Sequence, residues 1–473
     1  MTSTSSVPVP PRHQRRVLSV LAEPVRAESR ALLDANWQTL PESLRTKKQM
    51  LGVQGNGCGA TIGAMPRCDF ACRGCYLGEA ANRIPAQPVE AIKAQMRALR
   101  PVLGPDGNLQ ITDGEVTLRP PEDVVDLLRY AHSLELVPML MTHGDSFRRR
   151  PGLLERYLTE GQLVELSIHV DTTQRGRVGQ QYKAATTEAE LNPLRDEFVT
   201  MLADAQRSTG CTLRAATTMT VTRDNIDGVP DVMRWLVGGQ RIFRMISFQP
   251  IAQVGRTEDG FGGGVTGDAL WERITQALAG GDRTKSDAML QSQVWFGHPS
   301  CNRILHGLVA HRDGEAPQFH ALRPSADAPH ADTVDEFFRR FGGVSFKTDT
   351  RRTAMARALG IAMRAPVFVC SKLPGYFWNW LDRLVPGAPM QALRELLSGR
   401  LKVQPLVIVS HHFMSKAELQ SDEGQARLAH CVFHVPINGE LVSMCEVNAL
   451  GIRDEYYAEL ARAGSPVESV PVS

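Results

Sequence analysis

Short apolar runs recur along the middle of the chain, at Ala60–Met65, Asn108–Thr112, Val137–Met141, Leu163–Val170, Leu213–Val221 and Met245–Ile251. Each has the length of a buried strand. Between them lie amphipathic stretches such as Pro120–Ser133 and Leu191–Ser208, whose apolar residues return with helical spacing. Strands alternating with helices predict a parallel α/β unit. A doubly wound sheet and a barrel, closed or partial, both fit this pattern. Upstream, Val17–Leu40 carries Leu18, Leu21, Val25, Leu32 and Leu33 at helical spacing and predicts a helix packed on the main unit. Gly255–Gly267 is rich in glycine but has no Lys-Ser/Thr ending, so it reads as a connector and not as a phosphate loop. Beyond about residue 290 the alternation fades, and the polar, proline-containing stretch Arg312–Asp332 reads as loop. These shifts divide the chain into a leader and helix (1–50), an α/β core (51–265) and a C-terminal extension (266–473).

Charge and composition narrow the function classes. Lys and Arg total 53, Asp and Glu 51, for a net charge of +2. That balance argues against a nucleic-acid partner. Aromatic residues make up 6% of the chain, so base-stacking platforms would have to be local. No apolar run of about 18 residues is present, so no transmembrane segment is expected. The opening residues Met1–Pro11 lack the apolar stretch of a secretory signal, which makes a reducing cytoplasm the expected compartment. There, clustered cysteines point to metals or catalysis more than to disulfides. The chain has nine.

Three of them form the densest motif, Cys68-Asp69-Phe70-Ala71-Cys72-Arg73-Gly74-Cys75, directly after the first apolar run. Three thiolates so close together suit one face of an iron–sulfur cluster. With three protein ligands, one iron remains open to a small molecule, as an open zinc site does. A zinc site and three separate core cysteines are the alternatives. In this CxxxCxxC pattern after the first strand of a six-fold βα unit, the chain resembles the radical S-adenosylmethionine (SAM) superfamily. Further segments resemble that family in order. Asp113-Gly114-Glu115 is similar to its Gly-Gly-Glu motif, with Asp113 where the first glycine is usual. Ser167, His169 and Asp171 alternate on the fourth run and resemble SAM-contacting positions. Met245–Pro250, with Gln249, resembles the sixth-strand segment near adenine. Gly74 stands where the family usually has an aromatic residue, and Tyr76 follows the third cysteine instead.

A finer likeness, in Ile246–Arg256 and in the block from Cys431 to Asn448, is to the branch with tetraether-lipid synthases and pterin methylase-like proteins. The chain departs from that branch in lacking its cysteine-rich N-terminal elements and in having Ser410 near a position where the branch places a cysteine. Of the six remaining cysteines, Cys58 and Cys211 read as packing residues. Cys301, Cys370, Cys431 and Cys445 are the number one closed auxiliary [4Fe-4S] cluster requires. Nearby His298, His411, His412 and His434 are candidate substitutes as ligands.

The resemblance implies an α/β fold: a partial (β/α)6 TIM-like barrel of the radical SAM type with a C-terminal α+β extension. It implies an enzyme that uses a [4Fe-4S] cluster on Cys68, Cys72 and Cys75 to cleave SAM reductively. The resulting 5′-deoxyadenosyl radical would functionalise a C–H bond of a small or lipid-like substrate. An electron donor such as flavodoxin or ferredoxin is the implied partner. RNA or peptide modification, and a non-catalytic iron–sulfur or zinc protein, are the competing readings. The stretch Pro374–Trp380 is apolar enough to line a greasy substrate or a lipid surface, or simply to be core.

Overall fold

A computed structural model describes residues 16–57, 59–238, 242–257, 261–347 and 349–463. Six strands run parallel and pair in sequence order: β1 (Ala60–Met65), β2 (Asn108–Asp113), β3 (Val137–Thr142), β4 (Glu165–His169), β5 (Arg214–Val221) and β6 (Phe243–Pro250). Helices such as Val89–Leu103, Pro121–Ser133, Asn192–Thr209 and Val229–Val237 connect them. Each crossover advances the chain by one strand, the usual outcome of right-handed βαβ connections. All six apolar runs read from the sequence are strands.

The two faces of this sheet differ in chemistry. On β2, Leu109 and Ile111 pack with Ile92, Met96 and Leu99 of the neighbouring helical layer. On β4, Leu166 and Ile168 do the same, and on β6, Ile246 and Phe248. The intervening residues, among them Gln110, Ser167 and Gln249, face a cavity on the other side. A closed barrel fills this space with branched apolar side chains. Here strand residues from β1 through β6 all look onto one cavity, so the sheet curls around it.

The C-terminal region extends the same sheet. Strand β9 (Leu401–His411) pairs parallel to β6, β7 (Asn302–Arg312) pairs antiparallel to β9, and β8 (Gln318–Ala321) pairs antiparallel to β7. Among the described residues no pairing joins β8 back to β1. Hairpin β10 (His434–Ile437) and β11 (Glu440–Ser443) lies beside β1. Helix Ile452–Ala463 then crosses near the segment Glu79–Arg83.

Two expectations change. The single helix over 17–40 is two helices, Val17–Ala22 and Ala27–Thr39, because Pro24 lacks the N–H and the freedom to continue the first. The stretch Arg312–Asp332 is not all loop: it holds β8 and the start of helix Ala328–Phe341. Strand β8 has only four residues, and its partner β7 supplies the pairing that its own sequence does not announce.

Candidate active site

The cysteine loop leaves the end of β1 and is held by neighbouring loops through its backbone. Ala71 N–H donates to the Arg175 carbonyl at 2.9 Å, and Arg73 N–H to the Thr173 carbonyl at 3.1 Å. Arg256 N–H donates to the Cys75 carbonyl at 3.1 Å. The loops after β4 and β6 thus fix the loop after β1. Cys68, Cys72 and Cys75 all line a cavity of about 200 Å³ at the C-terminal ends of the strands. That is where catalytic residues of parallel α/β sheets gather.

Burial pushes the three thiols up in pKa, Cys72 to about 12. Charge on Cys72 raises Cys68 further, and charge on Cys75 raises Cys72. Three half-buried, desolvated thiols that resist joint ionisation suit a site where a multivalent metal centre supplies the compensating charge. The donor set therefore fits an iron–sulfur cluster. A small-ion site is a poorer fit. Ligand atoms of Cys68, Asp69 and His143 lie within 4.8 Å of one another. However, Asp69 is already committed, accepting at 2.8 Å from His143 Nε2 and also from the Arg149 guanidinium. Burial opposes ionisation of Asp69, but these two partners outweigh it and hold the carboxyl well below its ordinary range.

Asp113, Gly114 and Glu115 end β2 beside the cysteine loop. Asp113 has φ 98°, a region that favours glycine. Its carboxylate is tied to Arg453 and to the hydroxyl of Tyr457, both on helix Ile452–Ala463. Tyr76 Oη donates to the Asp113 carbonyl at 2.9 Å, and the Arg453 guanidinium lies 5.0 Å from the Tyr76 ring centre. Gly114 has no room for a side chain, since a Cβ there would lie 2.2 Å from the Arg67 carbonyl oxygen. Glu115 is buried and saturated: it accepts from Thr117 N–H at 3.1 Å, Thr117 Oγ1 at 2.5 Å, Thr142 Oγ1 at 2.7 Å and His143 N–H at 2.9 Å. Its role in this geometry is to brace the ends of β2 and β3.

On β4, Ser167 hydrogen-bonds with Thr218 at 3.0 Å. His169 Nε2 lies 2.6 Å from Asp171 Oδ2 and 3.2 Å from Thr220 Oγ1. Asp171 sits beyond the strand and is fully enclosed, accepting also from the backbone N–H of Thr173 and of Thr220, each at 2.8 Å. It orients His169 and does not itself face the cavity. Ser167, His169 and Gln249 do line it. The far wall is apolar and comes from the C-terminal region: Phe413, Phe433 and Met444, with Asn448 beside them.

Three of the four late cysteines converge. Cys301 stands just before β7, and its carbonyl accepts from His412 N–H at 2.8 Å. Arg427 Nε donates to Cys301 Sγ at 3.4 Å, and Met414 N–H to Cys445 Sγ at 3.4 Å. Burial raises the pKa of Cys301, Cys431 and Cys445, and charge on Cys431 raises both others. The near chain neighbours of Cys431 and Cys445, Phe433 and Met444, are wall residues of the main cavity. Cys370 is exposed on helix Pro366–Ser371, which packs on helices Arg351–Arg364 and Leu373–Leu384. Ser410 is buried and accepts from the Trp271 indole N–H at 2.8 Å. Cys211 packs against the main core, and Cys58 lies outside the described residues.

No protein-family model and no curated protein matches the chain. Solved structures similar to it include native anSMEcpe with bound AdoMet, at 12% identity over 47% of this chain and 59% of that one, with a TM-score of 0.34. A hexahistidine-tagged anSMEcpe with bound AdoMet is similar at 12% identity over 46% and 58%, with a TM-score of 0.33. The chain spans less than two thirds of the length of these structures.

Several site residues were not singled out from the sequence. His143, Asp69 and Arg149 form one buried chain next to Cys68, and the Phe70 ring stacks on His143 with centres 3.8 Å apart. Arg177 is buried and donates to the carbonyls of His143 and His169. The sequence signal for His143 is its place directly after β3, at the strand end where sites form. Arg453 and Tyr457 had none, being about 340 residues from Asp113.

Proposed function

We propose that this protein is a radical SAM enzyme, with the curled sheet as a partial barrel and Cys68, Cys72 and Cys75 as ligands of a [4Fe-4S] cluster. The observation that carries the reading is the set of three half-buried, desolvated thiols that line a cavity at the strand ends. With the cluster and SAM bound, one electron would cleave a carbon–sulfur bond of SAM, giving methionine and a 5′-deoxyadenosyl radical that takes hydrogen from substrate. The chain's own residues prepare that event. Tyr76 and Arg453 fix the backbone of Asp113 and Gly114 beside the cysteine loop. Glu115 holds the β3 end, and Asp171 sets the ring of His169 towards the cavity. Phe413, Phe433 and Met444 exclude water from a radical that would otherwise be quenched. The apolar wall supports a small or lipid-like substrate.

Cys301, Cys431 and Cys445 form a second set of ligands in this reading, for an auxiliary cluster behind that wall. Its place would be to bind substrate or pass electrons. Iron and sulfide content tests both assignments. The wild type should hold about eight irons, and Cys68/Cys72/Cys75→Ala about four. Cys301/Cys431/Cys445→Ala should hold about four as well, and Cys370→Ala should match the wild type. Full iron content after loss of the first three thiols would overturn the main reading. Full content after loss of the late three would make them packing residues.

A further inference from the structure

The exposed apolar residues of this protein are not scattered. Among the described residues, most large exposed hydrophobic side chains fall on four consecutive helices, Arg351–Arg364, Pro366–Ser371, Leu373–Leu384 and Pro389–Ser398, or on helix Val17–Ala22 packed against the first of these. On the first helix, Met355, Leu359 and Met363 recur every four residues, so they form one outward stripe. Its other face is spent on the core, through Ala356 and Ile361. Val367 continues the outward row at 78% exposure. Phe377 and Trp378 follow on the third helix, and Met390 and Leu397, the latter 81% exposed, on the fourth. Patches of this extent on a soluble surface mark an interaction site.

The charge of the same segment is as uneven as its hydropathy. Residues 351–402 hold nine basic and two acidic side chains, in a chain whose net charge is +2. Arg351, Arg352, Arg364 and Lys372 are exposed, as are Arg394, Arg400 and Lys402. The two carboxylates, Asp382 and Glu395, are half-buried, and Glu395 is paired with Arg312. We infer that these helices form a docking surface for an anionic lipid bilayer, with Leu, Met, Phe and Trp side chains entering the interface and Arg and Lys side chains meeting the headgroups. A second copy of the chain is disfavoured as occupant, because a two-fold contact would set one predominantly cationic patch against another. Nucleic acid has no use for eight protruding apolar side chains. The helices lie on the membrane and do not cross it. Among the described residues no single helix is long and apolar enough to span a bilayer, and the one pair that reaches that length and composition together, Arg351–Arg364 with Pro366–Leu384, is bent by 99° at its break.

The surface has a connection to the interior. Leu373 and Tyr376 of the third helix line an apolar cavity of about 320 Å³. His306 is a common wall between that cavity and a chamber of about 530 Å³, which reaches Ser167, Gln249 and Phe433 at the main cavity. Two cavities thus lie between the docking face and the cysteine loop, which suits a substrate taken from the lipid phase. That corollary rests on the proposed radical chemistry; the docking surface does not, since its test reads neither iron nor SAM.

The test is flotation of the full-length protein with vesicles of phosphatidylcholine alone or rich in phosphatidylglycerol. At low salt the protein should float at least about tenfold more with the anionic vesicles, and salt should weaken this. Leu359→Ser/Met363→Ser/Val367→Ser/Leu397→Ser should abolish flotation while leaving the melting temperature near wild type, since all four side chains are exposed. Arg351→Gln/Arg352→Gln/Lys372→Gln/Arg394→Gln should remove the preference for anionic lipid. Wild type left in the lipid-free fraction would overturn the inference. So would a serine variant that floats as wild type does, or a wild-type dimer that the serine variant dissolves.

Discussion

Asp113 pairs an unfavourable backbone with a strong side-chain anchor. A non-glycine residue at φ 98° is strained, yet its carboxylate holds Arg453 and Tyr457 in a fully buried group. Burial works against the charge on Arg453, and the Asp113 carboxylate outweighs it, raising the Arg453 pKa. Arg453→Ala leaves that carboxylate buried and unpaired, and should cost about 3–5 kcal/mol in chemical unfolding. The sequence showed that Asp113 departs from the Gly-Gly-Glu motif that this segment resembles. It did not show why, because the partner is a distant helix that only the fold brings back. Asp171 makes a second case at this scale. Burial opposes its ionisation, but His169, Thr173 and Thr220 prevail and lower its pKa below the ordinary carboxylate value. A depressed carboxylate stabilises the fold above its unfolded pKa and loses that contribution as pH falls through the folded one. Asp171→Asn should therefore be less stable than wild type near neutrality, with the gap closing as pH falls through the acidic carboxylate range in chemical unfolding.

At the scale of elements, the cysteine loop depends on contacts it does not contain. Gly255 sits at φ 58°, and a Cβ there would lie 2.2 Å from the Tyr76 carbonyl oxygen. Gly255→Ala should displace Tyr76 and Cys75, destabilise the fold by about 1–3 kcal/mol and lower iron content, read by unfolding and iron assay on one preparation. The strands of the core were legible because their apolar runs are long enough to stand out. The glycine-rich stretch was legible as a connector, but not as a clamp on the cysteine loop. Strand β8 was hidden, since Gln318–Ala321 is short, has only Phe319 as a large apolar residue, and owes its form to β7. Helix Val17–Ala22 was merged with its neighbour because apolar spacing continues across Pro24.

For the whole molecule, averages concealed what matters. A net charge of +2 argued against nucleic acid and hid a strongly cationic helical segment. The cysteine count pointed to a second cluster site with four thiols. The fold gathers Cys301, Cys431 and Cys445 and leaves Cys370 on the exposed helical face, a separation that sequence distance does not encode. The C-terminal region reads as an appendage by composition, yet β7, β8 and β9 complete the main sheet, and Phe413, Phe433 and Met444 wall its cavity. The central claim is that this cavity cleaves SAM through a cluster on Cys68, Cys72 and Cys75. It is tested most directly by incubating the anaerobically reconstituted protein with SAM and dithionite and measuring 5′-deoxyadenosine. The account predicts release by wild type and none by Cys72→Ala; cleavage at the wild-type rate by Cys72→Ala, or a reconstituted wild type with no iron–sulfur absorbance, would contradict it.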